Sequence, residues 1–250
     1  MLEVIGARRD GFPLISAHRG GALHAPENTM AAFRRGWAIG ADLLELDVQL
    51  SRDGEVVVIH DSAVDRTTDG RGRVSDLTLA ELRALDAGRH FGPAFAGERI
   101  PTLDELIAWA KGRIRLNIEL KGSPVIIGDL PERVAALCRK HGIADQTLAI
   151  SFDHVAIRRL KEAAPEIAAA INFGIRLADP VAAAAAAHAN VLNTGSDLLT
   201  PEFIAVAHAS GLGTQCFMDD PVRAAELARA GVDFMDSDRP DVVKAAVRAM

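Results

Sequence analysis

Four short runs carry the side chains that could do chemistry: His18-Arg19-Gly20, Glu45-Leu46-Asp47, His60-Asp61 and Glu119-Leu120-Lys121. Side chains alternate between faces along a strand, so Glu45 and Asp47 share one face, as do Glu119 and Lys121. Three carboxylates gathered in a closed interior cannot stay ionised and unpaired, because desolvating each charge costs several kcal/mol. A divalent cation resolves that conflict. All-oxygen ligation by Glu45, Asp47 and Glu119 suits hard Mg²⁺ or Ca²⁺ better than zinc, which favours nitrogen and sulfur. His18 and His60 can serve as a general acid and a general base, since imidazole changes charge near neutral pH. Arg19 and Lys121 add positive charge beside them, and with a cation they make a place for a phosphate group. The combination reads as phosphoryl chemistry.

Each of these runs closes a short apolar stretch that reads as a strand. The strands fall at 14–18, 43–47, 115–121, 147–152, 168–173, 190–194, 213–218 and 233–237, and helical stretches follow at about 29–39, 102–111, 131–141, 154–163, 179–188, 201–210, 222–230 and 240–249. Eight alternating pairs near 250 residues are the arithmetic of an α/β fold, a closed (β/α)₈ TIM barrel with its catalytic groups at C-terminal strand ends, although a doubly wound open sheet could also hold eight strands. One element breaks the alternation. Residues 55–60 follow Ser51-Arg52-Asp53-Gly54, too short a link for a crossover helix, so a hairpin should fold this strand back antiparallel and lay His60 beside Asp47. Residues 62–100, with one short helix at about 78–85, then form a small inserted cap within a single barrel domain spanning 1–250.

Composition narrows the class of partner. With 49% apolar and 25% charged residues, the chain is neither disordered nor disulfide-stapled. A net charge of −6 and the absence of any Lys/Arg block leave no electrostatic footprint for nucleic acid or an acidic membrane, so the expected partner is a small molecule. The opening stretch Met1–Ser16 lacks an apolar signal core and no run is long enough to span a bilayer, which argues against stable membrane association. Cys138 and Cys216 share no metal-type spacing and suit a reducing, cytoplasmic setting. Oligomeric state is left open.

The runs above, together with Pro26-Glu27-Asn28-Thr29, Arg66-Thr67-Thr68, Ile100-Pro101-Thr102-Leu103, Asn117-Ile118-Glu119, Ser151-Phe152, Gly231-Val232-Asp233 and Ser237-Asp238-Arg239-Pro240, resemble in order and spacing the motif series of the glycerophosphodiester phosphodiesterase family. The resemblance implies a (β/α)₈ barrel with an inserted cap that hydrolyses a glycerophosphodiester to glycerol 3-phosphate and an alcohol. It implies divalent metal at Glu45, Asp47 and Glu119, an acid–base pair in His18 and His60, and phosphate contacts from Arg19 and Lys121. Glu27 and Asn28 are secondary substrate-side candidates, and Asn28 or Thr29 equally suits the N-cap of the next helix. Related substrates such as a lysophospholipid or a sugar phosphodiester, or a non-catalytic binding module, are the competing readings. One departure stands out. Where the family shows Trp-Thr-Val-Asn, this chain has Cys216-Phe217-Met218-Asp219. The match places Cys216 in the substrate wall, which leads to expect a wider pocket and weak preference for a choline headgroup. Phe91, Phe95 and Phe217 are candidates to line a groove for an acyl chain.

Overall fold

Short apolar runs separated by amphipathic helices bury both faces of a parallel sheet, and here the sheet closes on itself. The computed structural model describes residues 11–122 and 128–250; residues 1–10, most of the opening stretch read above for a signal core, lie outside them. Strands β1 (Leu14–Ala17), β2 (Leu43–Leu50), β4 (Arg115–Leu120), β5 (Thr147–Ser151), β6 (Ala168–Phe173), β7 (Val191–Thr194), β8 (Gly213–Phe217) and β9 (Phe234–Ser237) pair in parallel around the ring. Strand β1 pairs with both β2 and β9, so the sheet is a closed barrel rather than an open doubly wound one. Helices α1 (Met30–Ala38), α3 (Leu103–Ala110), α4 (Leu130–His141), α5 (His154–Ala163), α6 (Pro180–Ala186), α7 (Pro201–Ala209), α8 (Pro221–Ala230) and α9 (Pro240–Arg248) alternate with these strands.

The helix starts are written into the chain. Thr29, Thr102, Asp153, Asp179, Thr200 and Asp220 each cap a helix by accepting from a backbone N–H one turn in. Pro180, Pro201, Pro221 and Pro240 occupy first turns, where the missing N–H costs nothing.

The two-residue period of each strand sorts the core. Leu44, Leu46 and Val48 pack outward against the helices, while Leu43 joins Leu148, Ile150, Ala168, Ala170, Val191 and Phe234 in an apolar plug. Above the plug the same inward face turns polar, through Glu45 and Asp47 on β2, Asn117 and Glu119 on β4, Asn172 on β6, Gln215 on β8 and Asp236 on β9. Strand β3 (Val56–Val58) runs antiparallel to β2, with Val48 opposite Val58 and Ile59 N–H donating to the Asp47 carbonyl, so the hairpin delivers His60 to the level of Asp47. Residues beyond it gather around Val64, Val74, Leu82, Ala87 and Ile100, a small apolar cluster of their own, with α2 (Leu79–Ala84) started by a Thr78–Glu81 capping box. Among the described residues no helix is long and apolar enough to cross a membrane.

Candidate active site

His18, Arg19 and Gly20 form a tight turn at the end of β1. Arg19 takes a left-handed conformation (φ 50°), which aims its backbone N–H at Glu45 Oε2, 2.7 Å away. Gly20 follows at φ 85°, where a Cβ would come within 2.7 Å of the Ala32 Cβ, so only glycine lets α1 approach. Asn28 is also left-handed (φ 57°) and buried. It donates Nδ2–H to Asp47 Oδ2 at 2.8 Å and accepts the Asp47 backbone N–H at 3.2 Å. Thr29, not Asn28, caps α1, which resolves the two readings of that turn.

Glu45, Asp47 and Glu119 are buried and offer ligand atoms that all lie within 4.8 Å of one another. Lys121, just past β4, reaches Glu119 Oε1 at 2.8 Å and Asp47 Oδ1 at 3.2 Å. The second contact lies off the hydrogen-bonding direction, and Asp47 Oδ1 receives no hydrogen bond. Burial and the neighbouring Asp47 charge push the Glu45 carboxyl well above the carboxylate range; burial, only partly offset by Lys121, raises Glu119 as well. A cluster of three oxygen donors with an unsatisfied buried carboxylate oxygen fits a hard divalent cation, which would relieve the crowding that raises these groups.

Each histidine is held at Nδ1 by an aspartate. His18 Nδ1 pairs with Asp238 Oδ1 and His60 Nδ1 with Asp61 Oδ1, both at 2.7 Å, leaving Nε2 of each ring for the cavity. Their electrostatics differ. Burial disfavours the His18 cation, but Glu45 and the Asp238 hydrogen bond outweigh it and carry the pKa to about 9. Burial prevails at His60 and lowers it. Asp61 is also gripped by Arg66 (Nε to Oδ2, 2.7 Å), and the same guanidinium binds Glu27 at 2.7 and 2.8 Å. Glu27 in turn accepts from Arg19 Nη1 at 2.9 Å. Burial alone would raise the Glu27 carboxyl, yet Arg66 and Arg19 together bring it down to about 2. Gln49 secures the loop from beneath, donating to the carbonyls of Ile59, His60 and Asp61.

His18, Arg19, Glu45, His60, Glu119 and Lys121 line one cavity of about 400 Å³. Asp47, Glu27 and Asn28 stand behind them as supports. Phe152, Asn172, Asn193 and Phe217 line the far wall; Phe217 is one of the groove candidates and Phe152 ends a motif named above, whereas the two asparagines carry no signal in the sequence, and Asp236 joins the floor, where it accepts from Asn117 and Gln215. Asp238 and Asp236 were legible in principle, being acids at or beside the end of β9, as Glu45 and Asp47 are on β2. Cys216 is a correction. It points outward with its side chain buried among Ile15, Leu199 and Met235, because the period of two puts Gln215 and Phe217 on the inward face instead. Phe217, one of the three phenylalanines considered above for a groove, does supply an aromatic ring to this wall. Phe91 and Phe95 do not line the cavity either; their rings pack edge to face on each other 5.4 Å apart.

Fold and site together define a (β/α)₈-barrel enzyme of phosphoryl chemistry. The chain belongs to the glycerophosphoryl diester phosphodiesterase family, which it matches over residues 18–242. It is 41% identical over 234 residues to YhdW of Bacillus subtilis, covering 92% of this chain and 96% of that one. It is 37% identical over 237 residues to a glycerophosphodiester phosphodiesterase of Caldanaerobacter subterraneus, covering 94% and 98%. A solved Oleispira antarctica phosphodiesterase in complex with the product sn-glycerol-3-phosphate superposes with a TM-score of 0.86 at 30% identity, covering 96% of this chain and 98% of that one.

Proposed function

We propose that this enzyme hydrolyses glycerophosphodiesters to glycerol 3-phosphate and the free alcohol. The observation that carries the reading is the convergence of three buried carboxylates, two cations and two aspartate-held histidines on one cavity at the C-terminal end of the barrel. Glu45, Asp47 and Glu119 would hold Mg²⁺ or Ca²⁺, which when bound polarises a phosphoryl oxygen and lowers the pKa of a hydroxyl or water beside it. Arg19 and Lys121 balance the charge gathering on the phosphoryl group. One histidine takes the proton of the nucleophile, and the other returns a proton to the departing alkoxide. Asp238 and Asp61 hold both rings with Nε2 toward the reacting group.

The cap serves this site through Arg66, which ties the His60 aspartate to the Arg19 support. Two buried free thiols, Cys138 and Cys216, support a cytoplasmic location. The test is a turnover panel of glycerophosphocholine, glycerophosphoethanolamine and glycerophosphoglycerol with Mg²⁺, Ca²⁺ and Mn²⁺ in turn, read as glycerol 3-phosphate released. Metal-dependent release is expected, and no release from any of the three with any metal contradicts the reading.

A further inference from the structure

The rings at the mouth bear on which alcohol is released. Along β5 the inward face carries Leu148 and Ile150, and Phe152 comes next on that face; along β8 it carries Gln215 and then Phe217. In the strand order β5-β6-β7-β8 the two phenylalanines flank Asn172 and Asn193. Asn172 is buried and accepts from Asn193 Nδ2 at 3.0 Å, so an amide pair lies deep between two rings that are 64% (Phe152) and 44% (Phe217) exposed. Phe217 packs against His18 at a centroid distance of 5.0 Å and 70°, so a substituent on a phosphate beside His18 meets its ring.

The chemistry of this wall is selective by what it lacks. Strands β5 to β8 bring no charged side chain to the cavity. A primary ammonium or a carboxylate on the alcohol would give up hydrogen bonds to water there and find no ion to replace them. A quaternary ammonium has no N–H to satisfy and is attracted to aromatic faces.

We propose that Phe152 and Phe217 form an aromatic wall that selects a quaternary-ammonium alcohol of the choline type as the departing arm of the diester, an inference that rests on the phosphodiesterase reading above. It reverses the expectation drawn from Cys216, because the side chain facing the mouth is that of Phe217.

The experiment compares kcat/KM for four glycerol 3-phosphate esters: choline, ethanolamine, glycerol and 3,3-dimethylbutanol, the last being the uncharged isostere of choline. Wild type, Phe152→Leu and Phe217→Leu are measured, since leucine keeps apolar bulk and removes the π face. The wild type is expected to prefer the choline ester to all three others. In each variant the choline-to-dimethylbutyl ratio should fall about 3- to 30-fold, the scale of a cation–π contact. A wild-type enzyme that turns over the dimethylbutyl ester as well as the choline ester overturns the proposal, and so do ratios that both substitutions leave unchanged. Hydrolysis of the other esters without choline preference defeats this proposal alone, whereas hydrolysis of none of them defeats the phosphodiesterase reading.

Discussion

Among the described residues, strands β9, β1, β2 and β4 and the segments that follow them, with the loop after β3, deliver every charged side chain in the cavity, whereas β5 to β8 deliver phenylalanines, asparagines and a threonine. The two halves differ also in how they are held. The charged half contains the left-handed Arg19 and Asn28, and three carboxylates with raised pKa values in Glu45, Glu119 and Asp236. It also contains buried polar atoms that lack a hydrogen-bond partner, Arg19 Nε and Asp47 Oδ1. Left-handed backbone in a non-glycine residue costs about 1–2 kcal/mol, and an unsatisfied buried polar group costs a similar amount. In the neutral half Asn193 bonds Asn172 and Thr194 donates to the Phe173 carbonyl, and the exceptions, Gln215 Oε1 without a partner and left-handed His188, belong to residues that do not line the cavity. In the proposed function, strain and charge crowding coincide with the residues assigned to bond cleavage, and the uncharged wall with those assigned to the choice of alcohol.

The largest effect that separates the halves is metal removal. Chelation followed by dialysis should abolish turnover and a divalent cation should restore it; full activity in excess EDTA would remove the cation from the charged half. Glu45→Gln, Asp47→Asn and Glu119→Gln should each weaken the cation's affinity in calorimetry, and unchanged binding in all three would discard this ligand set. Next come the histidines. His18→Ala and His60→Ala should each lower kcat by about two to four orders of magnitude, and the double variant should lose less than the product of the two effects if the rings act as a unit. Near-wild-type turnover in either single variant would refute that ring's role.

A smaller loss is expected at Arg66, which touches neither metal ligands nor cavity. Arg66→Met frees Asp61 and Glu27 together and should cost about 10- to 100-fold in kcat, the scale of losing an outer-shell support. It should also change acid stability. Glu27 titrates near 2 in the folded state against a usual 4.5, so its contribution to stability is complete above 4.5 and is lost as pH falls toward 2. The Arg66→Met protein should lose less stability across that window in chemical denaturation, and an unaltered slope would detach Glu27 from the strap.

The raised carboxyls predict the opposite slope. Glu45 and Glu119 hold protons when folded that they release when unfolded, so the metal-free enzyme should lose stability as pH rises from 4.5 through their raised values. A divalent cation should remove that slope. Thermal melts at several pH values, with and without Mg²⁺, read it directly, and a metal-free stability that climbs with pH would contradict the crowding.

The charged half was readable because its residues announce themselves. A Glu-x-Asp on a strand has both acids on one face wherever that strand is placed, and the short Ser51–Gly54 link forces the hairpin that carries His60 to Asp47. The strand and helix series was legible for the same reason, through periodicity and the Thr or Asp caps before most of the helices. The neutral half was legible only at Phe217. Phe152, Asn172 and Asn193 resemble residues of any strand end, and only the closed ring shows that they face His18 and Lys121 across one cavity. Cys216 failed as a wall residue because sequence matching fixes a position along the strand but not its parity, and one residue of offset exchanges core for cavity. Asp238 was quoted in a motif, yet its hold on His18 joins residues 220 positions apart.

The central claim is that one half of the mouth does the chemistry and the other chooses the alcohol. Its most direct test is the steady-state kinetics of His60→Ala and Phe217→Leu on the same two substrates, glycerophosphocholine and glycerophosphoglycerol. The account predicts that His60→Ala lowers kcat for both esters by a common factor and leaves their kcat/KM ratio at the wild-type value, while Phe217→Leu shifts that ratio away from choline. A His60→Ala enzyme with an altered headgroup ratio and intact kcat, or a Phe217→Leu enzyme impaired equally on both esters, would contradict it.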